Sequence, residues 1–434
     1  MIGLGKLGAP LAVCLAYRGY QVIGVDLDKS KVQLLREGIL PVFEPGLKEL
    51  LQSSRGRLTA TDSYEEAIEN SEATFILVPT PSDTGGGFSL RYVIPACEAI
   101  GHVLRAKATF HLVVLTSTVL PGAAENEVKP VLEACSGKKC GVDFGLCYNP
   151  EFVSLGSVIK DLLHPDFVLI GESDPSSGDM LASLYRGLCE NEPSIARMNF
   201  VNAELTKLSV NTFVTTKITF ANMLARICER LPGANVDVVT SALGLDSRIG
   251  KKYLKGAIGY GGPCFPRDNS ALAFLARLVG SAATLAEATD GANRQEVRQL
   301  AKLVKSKLPV NGVVGILGLT YKPDTDVVEE SQGLLLAQLL LAEGLSVAAY
   351  DPAGMENAQR VLDSSAIFAV SAQACIQLAD VIVLATPWEE FKSLSPKVLS
   401  RHSNRRTLVD CWRVLDPKRY EPVVEYLPLG VGNK

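Results

Sequence analysis

The sequence predicts an α/β protein built on two parallel, doubly wound sheets. The chain opens with three glycines in the spacing G-x-G-x-x-G, and apolar strand-like runs alternate with helical stretches in both halves. A long helical stretch separates the halves. We therefore expect two Rossmann-like domains, joined by a long central helix and a small helical middle domain. The expected boundaries are 1–195 for the first domain, 196–300 for the central helix and middle domain, and 301–434 for the last domain.

The bulk composition limits the class of protein. A chain of 434 residues is longer than one hydrophobic core normally serves, and 47% hydrophobic with 21% charged residues is ordinary for a folded protein. A net charge of -4 with scattered Lys and Arg argues against nucleic acid as a partner. The apolar runs are far shorter than the roughly 20 residues that span a bilayer, and no signal-peptide pattern opens the chain. We expect a cytoplasmic protein without a membrane partner.

The cysteines and histidines predict neither a disulfide framework nor a metal site. Ten cysteines are spread over the chain without a C-x-x-C pair, and the four histidines show no ligand spacing. Most cysteines are expected to be small buried apolar residues. Cys264 is the exception, because of the residues around it.

The opening glycines predict a dinucleotide site. Gly3 permits the tight turn, Gly5 lets the backbone approach a pyrophosphate, and Gly8 allows close packing of a helix predicted over 9–17, whose N-terminus favours an anion. The next strand ends at Asp26, 18 residues past Gly8. A carboxylate there can accept hydrogen bonds from ribose hydroxyls and would repel a 2'-phosphate, so NAD is expected in preference to NADP.

The first strand of this sheet is unusually short. Only Met1 and Ile2 precede the glycine turn, whereas the next strand spans about 21–25. Either the sequence is truncated, or neighbouring strands bury a first strand that is shorter than usual.

Two threonines follow later strands of the first domain. A strand over 73–78 ends in Pro79-Thr80-Pro81-Ser82, and a strand over 111–115 ends in Thr116-Ser117-Thr118-Val119. Ligand groups in doubly wound sheets gather at the carboxyl ends of the strands. Thr80 and Thr118 are therefore expected to face the cofactor, although loop threonines often serve only as caps or turn formers.

A long helix is predicted from Asn202 to about Leu231, with Pro232-Gly233 ending it. We expect it to link two domains and to form a subunit interface. Its apolar face comprises Leu205, Leu208, Phe213, Ile218, Phe220, Met223, Leu224 and Ile227. Lys207 and Asn211 are four residues apart and share one helix face, so both can converge on one ligand atom. For the spacing alone, a solvated face is the simpler interpretation.

The most informative segment is the decapeptide Gly259-Tyr260-Gly261-Gly262-Pro263-Cys264-Phe265-Pro266-Arg267-Asp268. Its glycines let the backbone approach a ligand, and its prolines stiffen the turn. Cys264 comes just before a helix predicted to begin near Asp268, and Arg267 is close in sequence. A helix N-terminus and a cation both favour a thiolate, so Cys264 is predicted to be a nucleophile. The alternative is a buried structural cysteine.

The last part of the chain repeats the strand and helix pattern. Four strands are predicted, over 313–318, 345–350, 381–384 and 407–409, and polar residues follow the last three of them. They predict a second doubly wound sheet, which either binds a ligand or is a bare structural repeat.

Together these residues resemble the UDP-glucose/GDP-mannose dehydrogenase family over nearly the full length. The matching segments, besides the opening glycines and the Cys264 decapeptide, are Glu44-Pro45-Gly46, Val78-Pro79-Thr80-Pro81, Thr116-Ser117-Thr118-Val119, Asn149-Pro150-Glu151-Phe152, Ala203-Glu204-Leu205-Thr206-Lys207 and Leu317-Gly318-Leu319-Thr320-Tyr321-Lys322-Pro323-Asp324-Thr325.

The resemblance implies four-electron oxidation of a nucleotide-sugar C6 alcohol to a carboxylate, with two NAD per sugar. Cys264 would attack the intermediate aldehyde to give a thiohemiacetal, which the second hydride transfer converts to a thioester. Lys207 and Asn211 would stabilise the oxyanion. Glu151 would assist the water that hydrolyses the thioester.

The resemblance also implies the remaining site residues. Thr118 and Asp268 would hold or activate water near the reacting carbon. The residues expected to hold NAD are Gly3, Gly5, Gly8, Asp26, Lys31, Thr80 and Thr118. Those expected to hold the substrate are Glu151, Lys207, Asn211, Arg248, Tyr260, Gly261 and Lys322, with the last domain binding its nucleotide and no metal taking part. A homodimer through the central helix and a role in polysaccharide biosynthesis accompany these expectations.

UDP-glucose, oxidised to UDP-glucuronate, is the expected substrate. The Cys264 loop carries Tyr260, Phe265, Arg267 and Asp268, as in glucose and mannose enzymes rather than in the N-acetylhexosamine branch. GDP-mannose and UDP-N-acetylhexosamines stay open, and so does a two-electron β-hydroxyacid dehydrogenase, which shares the glycine fingerprint and a long interdomain helix.

Two departures from the family pattern favour a further alternative, a noncatalytic nucleotide-binding homologue. Ser154-Leu155 replaces a tail with a second glutamate after Glu151-Phe152, which puts substrate contacts from this loop in doubt. Glu329 stands where the family has an arginine used toward the cofactor. Retention of Cys264 and of the residues expected to act with it argues against the noncatalytic alternative.

Overall fold

The structure is a computed structural model that describes residues 1–54, 56–401 and 405–432. The chain forms two compact units, Met1–Ser209 and Val210–Lys434. A 29-residue helix, Phe200–Cys228, contains the point in the sequence where the first unit ends and the second begins. Residues 433 and 434 of the predicted last domain lie outside the described residues.

Strands and helices alternate along the first unit. In chain order they are α1 (Gly8–Tyr17), β1 (Val22–Val25), α2 (Lys29–Arg36), α3 (Leu47–Ser53), β2 (Leu58–Thr61), α4 (Tyr64–Glu69), β3 (Ala73–Ile76), α5 (Val93–Ala106), β4 (Leu112–Leu115), a π-helical turn (Ala124–Val128), α6 (Lys129–Ser136), β5 (Gly145–Tyr148), α7 (Val158–Leu163), β6 (Phe167–Glu172), α8 (Pro175–Leu188), β7 (Ser194–Met198) and the start of α9 (Phe200–Cys228).

Ile2 takes the place of a full central strand in the sheet of this unit. It pairs in parallel with Val25 of β1 on one side and with Ile76 of β3 on the other. The hydrogen bonds include Ile2 N to Phe75 O and Gly3 N to Val25 O, both 2.7 Å. The order is therefore β2-β1-Ile2-β3-β4-β5-β6-β7, and among these strands β5 and β6 pair antiparallel. Neighbouring strands do bury this short first strand, since Ile2 is 2% exposed.

The strand β4 shows why this sheet is apolar on both faces. All four of its residues are buried, and successive side chains point to opposite faces. Leu112 and Val114 belong to a core that includes α1, α7 and α8. Val113 and Leu115 belong to a second core that includes α5 and α6. Helices thus cover both faces, and the loops at the strand ends are left to form a site.

The second unit begins within α9 and continues with a helical stretch and a second sheet. Its further elements are α10 (Val236–Leu243), α11 (Phe265–Leu278), α12 (Thr284–Lys307), β8 (Val313–Leu317), α13 (Gln332–Ala342), β9 (Ser346–Tyr350), α14 (Met355–Leu362), a 3-10 turn (Asp363–Ser365), β10 (Ile367–Phe368), α15 (Ala372–Leu378), β11 (Val381–Leu384), α16 (Glu389–Lys392), α17 (Pro396–Leu399), β12 (Thr407–Asp410), α18 (Pro417–Tyr420) and β13 (Glu425–Pro428).

The sheet of the second unit has six parallel strands in the order β10-β9-β8-β11-β12-β13. Counted from its first strand this is the order 3-2-1-4-5-6 of a dinucleotide-binding domain, with the reversal between β8 and β11. Apolar cores lie on both faces here as well. The predicted fold class is confirmed: two doubly wound sheets, a long central helix and a helical middle region.

Several predicted element bounds need correction. The helix after Cys264 begins at Phe265, three residues before Asp268, because Pro266 fits the first helical turn, where its missing N–H is not needed. The central helix begins at Phe200 and ends at Cys228, before Leu231. Strand bounds differ from the predicted ones by at most two residues, as at β3 and β9.

The central helix exposes five of the eight apolar side chains that were predicted to form one face, whereas Leu208 is buried and Ile218 and Leu224 are partly buried. Leu205, Phe213, Phe220, Met223 and Ile227 are all exposed, Phe213 by 64%. At 100° per residue these five positions fall within about a quarter-turn, so they form one stripe along the helix. We call this the α9 stripe.

Candidate functional site

The glycine loop of the first unit has the geometry of a phosphate cradle. Gly3 has φ +95°, and a Cβ there would lie 2.3 Å from the Leu77 carbonyl oxygen. A Cβ on Gly8 would lie 1.9 Å from the Gly3 carbonyl oxygen, which explains the close start of α1. A Cβ on Gly5 would meet nothing within 4 Å. The space over Gly5 is therefore open to a ligand, and the residues fit a dinucleotide pyrophosphate.

Asp26 ties the glycine loop to the next strand. Its Oδ2 accepts a hydrogen bond from Leu4 N at 2.8 Å, and its Oδ1 accepts one from Asp28 N at 2.9 Å. Lys31 Nζ lies 3.4 Å from the same Oδ2. The structure thus brings Asp26 and Lys31 together beside the loop, and the Asp26 side chain keeps 12% of its surface exposed.

The two predicted threonines meet at the carboxyl ends of β3 and β4. The Thr80 hydroxyl donates to the Thr118 carbonyl oxygen at 2.7 Å, and Thr80 is buried. Thr80 therefore fixes the backbone at Thr118 in this structure, while Thr118 itself is partly exposed.

Glu151 and Lys207 come together within the first unit. Lys207 Nζ donates to the Glu151 carbonyl oxygen at 2.6 Å and lies 4.6 Å from the centre of the Phe152 ring. The Tyr185 hydroxyl lies 2.9 Å from Glu151 Oε1. Burial raises the pKa of Glu151 to about 7, although Tyr185 and Lys207 both favour its charged form. A carboxyl group with a pKa near neutrality can act as a general base.

The loop after Glu151 is held by a buried carboxylate. Glu44 accepts hydrogen bonds from Gly156 N at 2.9 Å and Val158 N at 2.8 Å, and so caps α7 from a distant part of the chain. Leu155, one of the departures from the family pattern, packs against the core on the α1 side. The apolar residue at this position therefore contributes to the packing of that core.

Glu204, near the start of α9, also caps a turn. Its carboxyl oxygens accept hydrogen bonds from Gly122 N at 2.6 Å and Ala124 N at 2.8 Å, and the residue is 0% exposed. Glu204 belongs to a segment that matches the family pattern. The sequence spacing of that segment does not show that Glu204 binds the turn before α6 rather than a ligand.

In the second unit, Cys264 is the N-cap of the 14-residue helix α11. It is exposed, whereas Cys135 is intermediate and the other eight cysteines are buried. Asp268 N donates to the Cys264 carbonyl oxygen at 2.8 Å. The positive end of the helix dipole favours a thiolate at this position. This confirms the expectation that Cys264 differs from the other cysteines.

Asn211 and Asp268 are paired next to this helix start. Asn211 Nδ2 donates to Asp268 Oδ2 at 2.6 Å, and both residues are buried. Arg267 Nε approaches the other Asp268 oxygen at 3.4 Å. The predicted cation therefore contacts the carboxylate of its sequence neighbour, and Asp268 orients the Asn211 amide.

The backbone of Tyr260 is held by two buried amides. Tyr260 N donates to Asn293 Oδ1 at 2.8 Å, while its carbonyl oxygen accepts from Asn293 Nδ2 at 3.0 Å and from Gln332 Nε2 at 2.9 Å. We call Asn293 and Gln332 the amide clamp. A Cβ on Gly259 would lie 2.6 Å from Asn293 Oδ1, so the clamp needs glycine there. Sequence reasoning missed both residues.

The glycines that follow Tyr260 pack against the segment before α13. Gly262 N donates to the Glu329 carbonyl oxygen at 3.0 Å, and a Cβ on Gly261 would lie 2.2 Å from the Glu330 carbonyl oxygen. A Cβ on Gly262 would lie 2.8 Å from the Tyr321 ring. Close packing against Glu330 and Tyr321 therefore requires glycine at positions 261 and 262 in this structure.

The other predicted substrate residues of the second unit are placed differently from one another. The Tyr260 ring is 4% exposed, and its hydroxyl accepts from Asn269 Nδ2 at 3.0 Å. Lys322 is partly exposed beside the Tyr321 ring. Arg248 lies on an exposed turn and pairs with Asp246 at 2.6 Å. Glu329, the second departure, is exposed.

No helix among the described residues is both long and apolar enough to cross a membrane. No group of three or more His, Cys, Asp or Glu side chains within the described ranges has a geometry that could hold a metal ion.

Three family models match this chain in order. Their descriptions are the NAD binding domain, the central domain and the UDP binding domain of the UDP-glucose/GDP-mannose dehydrogenase family, over residues 1–189, 201–295 and 315–417. The first match covers the glycine loop and Asp26, and NAD is accordingly the cofactor.

Similar proteins carry two related names. The UDP-glucose 6-dehydrogenase of Haloferax volcanii is 36% identical over 399 residues, covering 91% of this chain and 92% of that protein. The GDP-mannose 6-dehydrogenase of Pseudomonas savastanoi pv. phaseolicola is 38% identical over 412 residues, covering 92% of both chains.

Among solved structures, a UDP-glucose dehydrogenase from Pyrobaculum islandicum has a TM-score of 0.88 at 35% identity, covering 100% of this chain and 96% of that one. A UDP-D-ManNAc dehydrogenase from Pyrococcus horikoshii has a TM-score of 0.84 at 26% identity, covering 99% of this chain and 98% of that one. The chain therefore belongs to the UDP-glucose/GDP-mannose dehydrogenase family of NAD-dependent nucleotide-sugar 6-dehydrogenases.

Proposed function

We propose that this enzyme oxidises the C6 alcohol of UDP-glucose to the carboxylate of UDP-glucuronate, through a covalent intermediate on Cys264. The observation that carries the proposal is the placement of this residue: an exposed cysteine at the N-cap position of α11, in a loop whose backbone is fixed by the amide clamp. A thiol at a helix start is favoured as the thiolate, and rigid positioning favours attack on a bound carbonyl carbon.

Cys264 acts on the aldehyde that the first oxidation produces. Its thiolate forms a bond to the aldehyde carbon, and the carbonyl oxygen becomes an oxyanion. Lys207 and Asn211, one helical turn apart on α9, supply a cation and an amide donor for that oxyanion. The chemistry that bound NAD supplies is hydride acceptance, first from the C6 alcohol and then from the thiohemiacetal, which leaves a thioester on Cys264.

Hydrolysis of the thioester needs a base, and we assign this role to Glu151. Burial raises its pKa to about 7, so the carboxyl exchanges protons near neutral pH. Thr118 and Asp268 hold water near the reacting carbon in this proposal. Asp268 also keeps the Asn211 amide oriented through their 2.6 Å hydrogen bond.

The residues that would hold NAD surround the glycine loop. Gly3 and Gly8 shape the turn, and the open space at Gly5 admits the pyrophosphate. Asp26 accepts hydrogen bonds from the ribose, and Lys31, Thr80 and Thr118 complete the set. We assign NAD binding to domain 1–195, the covalent step to 196–300 and nucleotide binding to 301–434; the three family models support this assignment.

For the substrate, we assign Glu151, Lys207, Asn211, Arg248, Tyr260, Gly261 and Lys322 to its recognition. GDP-mannose is the second candidate, because a GDP-mannose 6-dehydrogenase is 38% identical to this chain over 412 residues. UDP-glucose is preferred on the residues of the Cys264 loop and on the solved UDP-glucose dehydrogenase with a TM-score of 0.88.

The test is the stoichiometry of NADH formation with limiting UDP-glucose, GDP-mannose or a UDP-N-acetylhexosamine. Two NADH per UDP-glucose are expected. Cys264→Ser should lose turnover or stop after one NADH, whereas Cys135→Ser, at a partly buried cysteine, should behave as wild type. A Cys264→Ser variant with normal stoichiometry would refute the covalent mechanism. Absence of turnover with every sugar would favour a noncatalytic homologue.

We also propose that the enzyme is a homodimer formed through the α9 stripe. Five exposed apolar side chains in one stripe are a larger apolar surface than a solvated helix face normally shows. Sedimentation velocity should give a dimer that Phe213→Asp converts to a monomer. Phe43 is equally exposed, at 64%, and Phe43→Asp should leave the dimer intact. A monomeric wild-type protein would refute the proposal.

A further inference from the structure

The hydroxyl of Tyr185 lies between two oxygen atoms. Its distance to Asn149 Oδ1 is 2.6 Å, and its distance to Glu151 Oε1 is 2.9 Å. Tyr185 and Asn149 are buried, at 3% and 1% exposure, so water does not readily replace either contact. Both distances are within hydrogen-bond range.

The orientation of the Asn149 amide follows from its second contact. Asn149 Nδ2 lies 2.8 Å from the Leu169 carbonyl oxygen, which can only accept a hydrogen bond. The amide nitrogen must therefore face Leu169, and Oδ1 faces Tyr185 as an acceptor. Asn149 cannot donate a proton to Tyr185.

One hydroxyl proton forms one short, near-linear hydrogen bond, so Tyr185 donates fully to only one of the two oxygens at a time. When Tyr185 donates to Asn149, Glu151 must itself carry a proton and donate it to the tyrosine oxygen. When Glu151 is ionised, Tyr185 must turn its proton toward the carboxylate, and Asn149 Oδ1 loses its donor. The hydrogen-bond direction of Tyr185 is thus tied to the charge of Glu151.

With the charged and titratable groups around it, Glu151 gains and loses its proton near neutral pH. Besides Tyr185, the groups that interact with it are Lys207 on α9, Cys14 on α1 and Cys189 after α8. Burial raises the pKa of the Cys14 thiol to about 12 and that of the Cys189 thiol to about 11, so both are neutral at pH 7. Lys207 supplies the nearby positive charge.

We propose that Tyr185 is a positioning residue whose hydroxyl switches between Asn149 and Glu151 and so supports Glu151 both as proton acceptor and as proton donor. This inference rests on the proposed function, in which Glu151 activates the water that hydrolyses the thioester. The water oxygen forms a bond to the acyl carbon as the C–S bond breaks. Its proton passes to Glu151, the sulfur leaves as the Cys264 thiolate, and the Tyr185 proton turns from Glu151 to Asn149 without leaving the tyrosine.

Two variants shift the Glu151 equilibrium in opposite directions if the inference is correct. Tyr185→Phe removes a donor from ionised Glu151, so its titration midpoint should rise. Asn149→Leu removes the competing acceptor, so Tyr185 donates to Glu151 alone and the midpoint should fall. Tyr20→Phe removes a hydroxyl that donates to the Leu184 carbonyl oxygen at 3.1 Å, and it is the matched control.

The first readout does not depend on catalysis. The infrared carbonyl band of protonated Glu151 is titrated in the full-length protein. This band is identified as the part of the signal that Glu151→Gln removes. The subtraction is needed because burial also raises the pKa of Glu204 to about 7. Midpoints that move in opposite directions in the two variants support the inference. Midpoints that stay at the Tyr20→Phe value, or move together, overturn it.

The second readout is the pH profile of NADH production with UDP-glucose. In Tyr185→Phe the acid limb should move to higher pH, and a shift of one pH unit lowers the rate on that limb about tenfold. If the infrared midpoints shift and the acid limb stays in place, the coupling of Tyr185 to Glu151 stands and the proposed role of Glu151 as base fails.

Discussion

Replacing Asn293 by alanine tests whether the amide clamp fixes the Cys264 loop. The substitution removes the acceptor of Tyr260 N, at 2.8 Å, and one of the two donors to the Tyr260 carbonyl oxygen. A buried N–H left without an acceptor costs about 1–3 kcal/mol, and the second bond contributes about 1 kcal/mol. The local cost is therefore about 2–4 kcal/mol.

Gln332→Ala should cost less, because of an asymmetry in the clamp. The Tyr260 carbonyl oxygen keeps Asn293 Nδ2 as a donor, and its N–H keeps its acceptor. Asn293 and Gln332 both line a cavity of about 370 Å³ between α12 and α13, so access of water does not distinguish the two variants and the difference comes from the hydrogen bonds. We expect a cost of about 1 kcal/mol.

Amide hydrogen exchange measured on peptides that contain Tyr260 is the assay. A cost of 2–4 kcal/mol corresponds to about 30- to 700-fold faster exchange of this amide in Asn293→Ala, and Gln332→Ala should accelerate it by less than about tenfold. Gln295→Ala, at an exposed position of α12, is the control. Equal exchange in Asn293→Ala and in the control, or a larger effect of Gln332→Ala, would refute the reasoning.

Three further predictions concern the first unit. Glu204→Leu leaves two backbone N–H groups without acceptors and should cost about 2–4 kcal/mol of folding stability. The melting temperature measured by circular dichroism should fall by on the order of 10 °C. Glu127→Leu, at an exposed position, is the control and should change the melting temperature little. Gly8→Ala should prevent stable folding, because its Cβ would lie 1.9 Å from a backbone oxygen. Gly5→Ala has open space around its Cβ, so it should fold normally and raise the KM for NAD. Equal melting temperatures for the two variants would contradict this prediction. Since burial raises the pKa of Glu151 from 4.5 to about 7, the folded state binds its proton more tightly than the unfolded state, so this group stabilises the fold at low pH and that contribution is lost as pH rises from about 4.5 to 7. Urea unfolding should show a loss of up to about 3 kcal/mol over this range that Glu151→Gln lacks, and parallel pH curves for the two proteins would contradict the shift.

The sequence predicts the fold well where a local pattern has one structural solution. Gly3 needs a positive φ and Gly8 needs close packing, and both needs follow from the glycine spacing. The strands predicted from short apolar runs, β1, β3, β4, β8, β9, β11 and β12, lie within two residues of their predicted bounds, whereas β2, β5, β6, β7, β10 and β13 were not predicted. The helix α11 starts three residues before the predicted position, because Pro266 fits the first helical turn.

The candidate site is less predictable where partners are far apart in sequence. Asn293 and Gln332 hold Tyr260 from 33 and 72 residues away, and Tyr185 reaches Glu151 across 34 residues. A lone Asn, Gln or Tyr on an amphipathic helix carries no local signal of its partner. Tertiary packing alone brings these groups together, so no spacing rule could have identified them.

The two units share one local feature, an aspartate after the second strand that accepts a hydrogen bond from the glycine turn. Asp26 follows β1 and Asp351 follows β9, and each accepts a hydrogen bond from the backbone after a glycine at positive φ, from Leu4 N at 2.8 Å and from Leu319 N at 2.7 Å.

Asp351 differs from Asp26 in how far its carboxylate is satisfied. Its Oδ2 also accepts from the backbone N–H and the hydroxyl of Thr320 and from Trp388 Nε1, and its Oδ1 accepts from Ala353 N and Gly354 N. Asp351 is buried, whereas Asp26 is partly exposed. In the second unit the protein's own donors therefore satisfy the carboxylate. The glycine and aspartate pattern therefore identifies the fold of both units, and only the accessibility of the carboxylate distinguishes the one suited to NAD.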